Sequence, residues 1–306
     1  MVTNKPNLFV IGAMKSGTTY LTKLLNSHPS IFMSNPEEPS FFVDPAQLRK
    51  IWPDMWDGGY WKSEENYLNL FQTTKNAIIF GESSTNYTKQ PLVKGVPEKI
   101  RKFNPESRLI YIMRDPIQRT ISHYWHRVRW EGEWRPILDA IKEEPQYCDV
   151  SNYAMQLTPF IELFGRKRIN VLTLEELTSC PIETLEKLWK WLEVDCSVEA
   201  TGFDEPENVT PEVVAMSTFF GLHKHLRQVQ ILRSMVPQLP DSLRRIVKLG
   251  IRMSTTDTNR RAVETSKCIE FLRPLQTNQA EELVQLVGRK FPEWNTLYDT
   301  SMARAV

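Results

Sequence analysis

Residues 8–19 carry the sequence LFVIGAMKSGTT, in which four apolar residues run directly into a turn that contains two glycines. The apolar run predicts a buried strand over residues 8–11, and Gly12 and Gly17 bound the turn. Two threonines then begin an amphipathic stretch that predicts a helix to about Asn26. A strand, a glycine-bearing turn and a helix start bring backbone N–H groups and the positive end of a helix dipole together, which favours a bound anion.

The chain before about residue 200 alternates short β-branched runs with amphipathic stretches. This alternation predicts an α/β fold in which a central parallel sheet is flanked by helices. Further strands are predicted at 31–33, 77–81, 108–113 and 169–173, and further helices at about 116–130 and 181–192. Residues 35–63 are rich in proline, tryptophan and glycine, and they predict loop with short helices.

Residues after about Thr201 predict helices without strands. The last of these is an amphipathic helix that carries Leu283, Leu286, Val287 and Phe291. The chain of 306 residues contains no repeat, low-complexity tract or flexible linker. It is therefore predicted to be a single domain, 1–306, with a helical C-terminal third.

The composition excludes several kinds of partner and site. The formal net charge is +1, so there is no overall field to attract nucleic acid or a polyanionic polymer, and an anion must be bound locally. The first residues lack the apolar segment of a signal peptide, and no apolar run approaches the roughly 20 residues that cross a bilayer. We therefore expect no stable membrane insertion. The four cysteines are widely spaced without a metal-binding pattern, which predicts thiols in a reducing compartment, the cytoplasm, and no metal site.

The turn after the first strand is P-loop-like but differs from the nucleotide-triphosphate form. That form, G-x-x-x-x-G-K-[ST], places a lysine directly after the second glycine. Here Gly12 and Gly17 keep the spacing, Thr18 occupies the lysine position, and the lysine is Lys15, inside the loop. A Mg²⁺ site would also need an aspartate at a strand end, whereas the strand predicted at 108–113 runs into a basic residue, Arg114.

Arg114 and Ser122 offer donors for a second phosphate. A basic residue at a strand end suits a phosphate rather than a metal, and Ser122 lies eight residues further on, in the following helix. The alternative is that Arg114 pairs with its neighbour Asp115 and that Ser122 binds nothing. The glycine-bearing turn in the same chain favours the two-phosphate interpretation.

With these motifs the chain resembles the family of sulfotransferases that use 3′-phosphoadenosine 5′-phosphosulfate (PAPS). Residues 15–19, KSGTT, resemble the family's 5′-phosphosulfate loop, and residues 114–122, RDPIQRTIS, resemble its 3′-phosphate motif R-D-P-x-x-R-x-x-S. The resemblance continues through TLEEL at 173–177 and LVGRKFPEW at 286–294, and it is weak only between about 201 and 261. Within the family, the chain resembles the members that use a glutamate as the general base. These include heparan-sulfate sulfotransferase domains and bacterial small-molecule sulfotransferases.

The resemblance implies transfer of the sulfuryl group of PAPS to a hydroxyl or amine, with 3′-phosphoadenosine 5′-phosphate (PAP) as product and without a metal. In-line displacement requires positioned reactants, stabilised charge on the leaving phosphate and removal of the acceptor proton. Lys15 is the predicted partner of the leaving phosphate. The donor-binding residues implied are Lys15, Ser16, Gly17, Thr18, Thr19, Arg114 and Ser122.

The predicted general base is Glu38. Glutamate-base members carry an E-x-x-F-F pattern just after the second strand, and Glu38 precedes Phe41 and Phe42 at that place. Partial burial against these rings is expected to raise the pKa of the carboxyl, which suits proton removal near neutrality. The alternative is that Glu38 is only a loop charge, and the competing bases are His123 and His126.

Two departures from the family pattern bear on the acceptor. Ser83 stands where the family's E-K-[ST]-x-x-Y segment has lysine, and the basic G-x-K-G-R-x-x-P loop of the heparan-sulfate enzymes is absent. With a net charge of +1, these departures favour a small-molecule acceptor over a polyanionic glycan. The tryptophans that are candidates for an acceptor cleft are Trp52, Trp56, Trp61, Trp125, Trp130 and Trp134.

Two other classes of function stay open from the sequence. A P-loop nucleotide kinase or hydrolase needs Mg²⁺, a lysine after Gly17 and an acidic strand end, and the last two are missing. A non-catalytic module would lay the segment 216–252, which carries seven Lys or Arg against one Asp, on acidic lipid as a basic amphipathic helix. Pro237 and Pro240 interrupt that segment.

Overall fold

Five parallel strands form the central sheet of the computed structural model, which describes residues 4–73, 75–198, 213–217, 255–259, 263 and 265–298. The strands are β1 (Leu8–Gly12), β2 (Ile31–Met33), β3 (Ile79–Ser83), β4 (Arg108–Met113) and β5 (Ile169–Thr173). Their order in the sheet is β2-β3-β1-β4-β5, and every neighbouring pair is parallel. The predicted α/β fold with a central parallel sheet is confirmed.

Strand β3 lies two residues further along the chain than the apolar run at 77–81 predicts. Ile78 is 61% exposed, and the strand instead continues through Gly81 to Ser83. A Cβ added at Gly81 would lie 2.5 Å from Met33 Sδ on the neighbouring strand β2. The glycine therefore marks a close approach of two strands, whereas sequence analysis took it for the strand end.

Strand β1 is fully buried and divides its side chains between two cores. Leu8 and Val10 pack into the core on one face of the sheet, and Phe9 and Ile11 pack into the core on the other. This division follows from the two-residue period of a strand. A strand that is covered on both faces has to be apolar throughout, which is why residues 8–11 contain no polar side chain.

Helices cover both faces of the sheet. They are α1 (Thr18–Ser27), α2 (Pro45–Ile51), α3 (Pro53–Gly58), α4 (Glu64–Leu68), α5 (Val96–Phe103), α6 (Pro116–Glu131), α7 (Ile137–Glu143), α8 (Gln146–Asp149), α9 (Tyr153–Phe164), α10 (Leu174–Ser179), α11 (Pro181–Leu192), α12 (Ser266–Val287) and α13 (Asn295–Tyr298). Buried residues of α1 and α11 join the core that contains Leu8, and those of α5, α6, α9 and α12 join the core that contains Phe9. The predicted helices near 18–26, 116–130 and 181–192 are confirmed as α1, α6 and α11.

The C-terminal region is helical as predicted, but it also contains two strands. These are β6 (Val213–Ser217) and β7 (Thr255–Asn259), which pair antiparallel with Val213 opposite Asn259. The expectation of helices without strands after about residue 201 is therefore wrong. Valine and threonine dominate the two segments and favour extended backbone, but the partners are far apart in the sequence and carry no local hairpin signal. Residues 218–252, most of the predicted basic segment, lie outside the described residues.

None of the helices described here has both the length and the apolar composition needed to span a bilayer. The four cysteines all fall within the described ranges, and no disulfide joins any of them.

Gly12 ends β1 at a point where no side chain fits. Its φ is +153°, and a Cβ built there would lie 2.2 Å from Thr88 Oγ1 and 2.7 Å from a ring carbon of Tyr111. The Thr88 hydroxyl donates to the carbonyl oxygen of Ile11 at 2.6 Å. The segment after β3 is thus fastened directly over the end of β1, and the glycine is what makes this close approach possible.

We predict that Gly12→Ala lowers the free energy of unfolding by about 2–4 kcal/mol, since it adds a clash to an unfavourable φ. Gly95→Ala is the matched control, because Gly95 also has a positive φ of 76° but no atom within 4 Å of an added Cβ. The control should lose only about 1 kcal/mol in urea denaturation. Equal losses in the two variants would show that the packing over Gly12 is not tight.

Candidate active site

The loops that follow β1, β2, β3 and β4 meet at the carboxyl edge of the sheet. Ligands of parallel α/β sheets bind at this edge. The loop after β1, residues 12–17, is called the glycine loop below, and β4 is followed directly by Arg114. Glu38 follows β2, and residues 84–89 follow β3. The topology therefore gathers the predicted donor-binding residues and the predicted base at one edge.

The glycine loop turns sharply between β1 and α1. Lys15 and Gly17 have positive φ values of 68° and 87°, and a Cβ at Gly17 would lie 2.6 Å from Leu174 Cδ1. Ser16 is fully buried, and Thr18 is the first residue of α1. The first turn of α1 carries no acidic residue. Its N–H groups and the positive end of the helix dipole therefore suit an anion, as the sequence predicts.

Thr19 has a protein partner that the sequence did not indicate. Its hydroxyl donates to Glu37 Oε2 at 3.0 Å, so Glu37 lies against the first turn of α1. A threonine hydroxyl has one hydrogen to donate. Thr19 can therefore donate to a phosphate only after it gives up Glu37.

Arg114 and Ser122 line the same cavity, as the two-phosphate interpretation requires. The cavity has a volume of about 240 Å³ and is also lined by Gln118, Ile121, Trp125, Val263 and Thr265. The Tyr153 hydroxyl donates to the carbonyl oxygen of Arg114 at 2.7 Å, which fixes the backbone at the end of β4. Strand β4 and helix α6 together bring a guanidinium and a hydroxyl to one pocket.

The alternative partner for Arg114, its neighbour Asp115, is used elsewhere. Asp115 is the N-cap of α6 and accepts from the N–H groups of Ile117 at 3.0 Å and Gln118 at 3.2 Å. Its other oxygen accepts from the N–H of Leu297 at 3.0 Å. Arg114 and Asp115 form no ion pair, and Arg114 instead interacts electrostatically with Glu175, the residue that accepts from the Asp115 N–H.

Glu38 is held firmly by the loop after β3. Its two carboxylate oxygens accept from the Thr85 hydroxyl at 2.8 Å and from the Thr85 N–H at 2.9 Å. Its own N–H donates to the carbonyl oxygen of Ser83 at 2.8 Å. Glu38 has a φ of +60°, in the left-handed region that side chains rarely adopt. These contacts are not those of a solvated loop charge.

The environment of Glu38 favours a proton acceptor. Burial raises the pKa of its carboxyl, while the hydrogen bonds from Thr85 and the positive charge of Lys89 lower it. The net direction is upward, as the sequence analysis predicts. Phe41 and Phe42 of the E-x-x-F-F pattern have their own packing role, and Phe41 stacks on Tyr67 with ring centroids 4.1 Å apart.

Glu82 is the centre of a buried network that braces this loop. Its carboxylate accepts from Tyr67 Oη at 2.7 Å, Tyr87 Oη at 2.6 Å and Ser84 Oγ at 2.7 Å. Ser84 Oγ in turn accepts from the N–H of Ser40 at 3.0 Å. Burial raises the pKa of Glu82 to about 7 despite these donors. The network ties the chain just after Glu38 to the end of β3.

The two competing histidines differ from Glu38 in basicity. Burial is the main cause that lowers the pKa of His123 well below its usual value, and the side chain packs on Tyr147 with ring centroids 4.9 Å apart. Burial, and next the charges of Lys15 and Lys89, lower the pKa of His126 to about 3. A group with so low a pKa is a weak proton acceptor at neutral pH. These pKa shifts favour Glu38 over the two histidines as the candidate base.

Lys89 is a buried cation at this site that the sequence analysis missed. It is 5% exposed, and its Nζ lies 3.1 Å from Met14 Sδ in the glycine loop and 5.0 Å from the ring centroid of Trp52. Burial lowers the pKa of Lys89 to about 8. A single lysine in a loop has no sequence signal that distinguishes it from a solvated one, and only its packing reveals it.

The candidate cleft tryptophans do not form one wall. Trp56 and Trp61 stack on each other with ring centroids 3.8 Å apart, Trp125 is buried beside the Arg114 cavity, and Trp130 is 54% exposed. The Trp52 ring packs against the ammonium of Lys89. Lys89 in turn interacts electrostatically with Glu38. Across the part of the chain that the structure describes, no cluster of His, Cys, Asp and Glu side chains could hold a metal ion.

A parallel α/β sheet with a glycine-bearing turn after β1 and a basic pocket after β4 is an arrangement typical of proteins that bind phosphorylated ligands. The sequence model of the sulfotransferase family matches residues 6–198, which include the glycine loop, Glu38, Arg114 and Ser122. The chain belongs to this family. The predicted membership in a family of sulfuryl-transferring enzymes is thereby confirmed.

Several relatives show how far the likeness extends. A bifunctional heparan sulfate N-deacetylase/N-sulfotransferase 1 of Caenorhabditis elegans is 27% identical over 203 residues, 62% of this chain and 22% of that protein. The human heparan sulfate glucosamine 3-O-sulfotransferase 5 is 27% identical over 206 residues, 63% of this chain and 54% of that protein. The chain thus spans about a fifth to a half of the length of these relatives.

A solved structure supports the fold over almost the whole chain. A sulfotransferase from Alicyclobacillus acidocaldarius superposes with a TM-score of 0.66 at 20% identity and covers 95% of this chain and 99% of its own. This likeness confirms the α/β fold of the described residues.

We predict that Glu38→Gln lowers turnover with PAPS by roughly 10²–10⁴-fold, because the amide cannot take a proton. In the wild type the rate should rise with pH through one ionisation, since only the deprotonated carboxyl is active. Burial moves this rise to a higher pH than an exposed glutamate would show. The pH–rate profile of Glu38→Gln should lack this rise in rate.

Glu65→Gln, on the exposed surface of α4, is the matched control and should keep the wild-type rate. Glu37 is unsuitable as a control because it binds Thr19. Near-normal turnover of Glu38→Gln together with loss of activity in His126→Ala would assign the base to the histidine.

Proposed function

We propose that this chain transfers the sulfuryl group of PAPS to a hydroxyl or amine of a small-molecule acceptor. The observation that carries the proposal is the arrangement at the carboxyl edge of the sheet. The glycine loop, the Arg114 cavity and Glu38 follow strands β1, β4 and β2 of the same sheet. The proposed donor sites and the proposed proton acceptor thus share one edge of the sheet.

The donor set fits a nucleotide with two separate phosphate groups. The glycine loop with Lys15 offers backbone donors and an ammonium for the 5′-phosphosulfate. Arg114 and Ser122 offer a guanidinium and a hydroxyl to a 3′-phosphate inside a cavity of about 240 Å³. Because Asp115 is occupied as the N-cap of α6, the positive charge of Arg114 is left for the ligand.

The chemistry that these residues support is an in-line displacement. PAPS, when bound, supplies an activated sulfuryl group whose bond to the bridging oxygen is broken. In this proposal Lys15 donates to that oxygen as negative charge develops on it. Glu38 takes the proton of the acceptor hydroxyl or amine as the new bond to sulfur forms. The two hydrogen bonds from Thr85 fix the orientation of the Glu38 carboxylate.

A small acceptor is favoured over a polyanionic glycan. Ser83, at the end of β3, is 2% exposed and uncharged, where related sequences place a lysine. The net charge of +1 supplies no field to attract a polyanion. The two heparan sulfate enzymes described above are named for a polyanionic acceptor, but they resemble only part of this chain, which leaves the acceptor open to a different class.

We also propose a cytoplasmic location. The support is the state of the cysteines, since Cys180 and Cys196 are exposed and no disulfide joins any of the four. Exposed thiols suit a reducing compartment. Labelling of intact and of permeabilised cells with a thiol reagent distinguishes this location from an oxidising one.

We predict that PAP raises the melting temperature more than ATP with Mg²⁺ does. At a ligand concentration 100 times the dissociation constant, binding adds about 2.7 kcal/mol of stability. Arg114→Ala should abolish the preference for PAP over adenosine 5′-monophosphate, because the guanidinium is the proposed reader of the 3′-phosphate.

Arg101→Ala on α5 is the matched control for charge and should keep that preference. Stronger protection by ATP with Mg²⁺ than by PAP would favour a nucleotide kinase or hydrolase instead. A screen of small alcohols, phenols, amines and sugars with ³⁵S-labelled PAPS then identifies the acceptor.

A further inference from the structure

Lys89 is a buried residue that has no role in the proposed donor site and is not the proposed base. Its side chain is 5% exposed, and the backbone on either side is fixed: the Thr88 hydroxyl donates to the carbonyl oxygen of Ile11 at 2.6 Å, and the Lys89 carbonyl oxygen accepts from the N–H of Val93 at 2.9 Å. The ammonium is therefore held in position rather than free to swing into solvent.

The Lys89 ammonium contacts a thioether sulfur and an aromatic ring, and both are weak interactions for a cation. It donates to the thioether sulfur of Met14 at 3.1 Å and lies 5.0 Å from the ring centroid of Trp52. No carboxylate of the described residues forms a salt bridge with it. An ammonium has three hydrogens to donate, and a thioether is a weak acceptor. The charges of Glu38 and Glu131 compensate the burial of this cation without a contact ion pair, so an anion bound beside the ammonium would stabilise it further.

The position of Lys89 identifies which anion can reach it. Met14 directly precedes Lys15, the proposed partner of the leaving phosphate. On the other side, Glu38 and Lys89 each shift the pKa of the other through their opposite charges, so Lys89 lies within electrostatic range of the proposed base. The ammonium thus contacts the glycine loop through Met14 and lies within electrostatic range of Glu38.

We propose that Lys89 is a further catalytic residue, whose ammonium donates to the non-bridging oxygens of the sulfuryl group during transfer. This role rests on the sulfuryl transfer proposed above. Lys15 stabilises the oxygen that departs, Lys89 stabilises the group that moves, and Glu38 removes the proton of the atom that attacks. Ser83, at the end of β3, is uncharged where the family pattern has a lysine. Lys89 supplies a cation six residues later in the chain.

The charged groups around Lys89 also link it to the pH dependence of the reaction. Glu38 and Glu131 stabilise its charge, and Arg119 and Arg127 oppose it. Lys89 in turn lowers the pKa of Glu38. Removal of the ammonium should therefore raise the pKa of the base and move the rise in activity to higher pH.

The test is Lys89→Met, which keeps the length and volume of the side chain and removes only the charge. We expect kcat to fall by roughly 10²–10³-fold, as for other groups that stabilise charge in a transition state. The KM for the acceptor and the affinity for PAP, which lacks the sulfuryl group, should change by less than about threefold. The ascending limb of the pH–rate profile should move to higher pH.

Lys94→Met is the matched control, because Lys94 is exposed and five residues away on the same segment, and it should behave as the wild type. Lys89→Gln is a second uncharged variant in case the first fails to fold. A rise in the acceptor KM with unchanged kcat would assign Lys89 to acceptor binding, and a matching loss of PAP affinity would assign it to the donor site; either result overturns the proposal.

An unchanged kcat in a folded Lys89 variant would overturn the proposal as well. These outcomes differ from failure of the proposed function, because in that case the wild type itself would neither bind PAP nor turn over PAPS with any acceptor of the screen.

Discussion

The close packing of the chain over the end of β1 is the constraint on which the site depends. Thr88 and Tyr111 leave no room for a side chain at Gly12, and the Thr88 hydroxyl is bonded to the carbonyl of Ile11. The glycine loop and the segment after β3 are therefore held together at the carboxyl edge of the sheet. Lys15 belongs to the first of these elements, and Thr85 and Lys89 belong to the second, so their spacing is set by the strands.

Two of the three proposed catalytic residues, Lys15 and Glu38, have left-handed backbone conformations, with φ values of 68° and 60°. Non-glycine residues in this region cost about 1–3 kcal/mol each and persist only where the surrounding contacts outweigh that cost. For Glu38 these contacts are the two hydrogen bonds from Thr85 and the bond to the Ser83 carbonyl. The strain is consistent with side chains that are positioned before a ligand binds.

Sequence analysis predicted the parts of this structure that have a local cause. The strand at 8–12 and the helix after it follow from an apolar run, two glycines and two threonines. The bounds of β3 were predicted two residues too early, because Gly81 ends an apolar run although the strand continues through it. Strands β6 and β7 were missed because they pair across a long stretch of sequence. Lys89 and Thr85 were missed because their burial and partners depend on how three loops meet, which no single stretch of sequence encodes.

Lys15, the lysine of the glycine loop, is proposed to stabilise the leaving phosphate while the rest of the loop holds it. The decisive experiment is single-turnover transfer from PAPS by Lys15→Ala, measured with the best acceptor found for the wild type. The rate of the chemical step should fall by roughly 10²–10³-fold at saturating donor. A chemical step as fast as that of the wild type would exclude Lys15 from the chemistry.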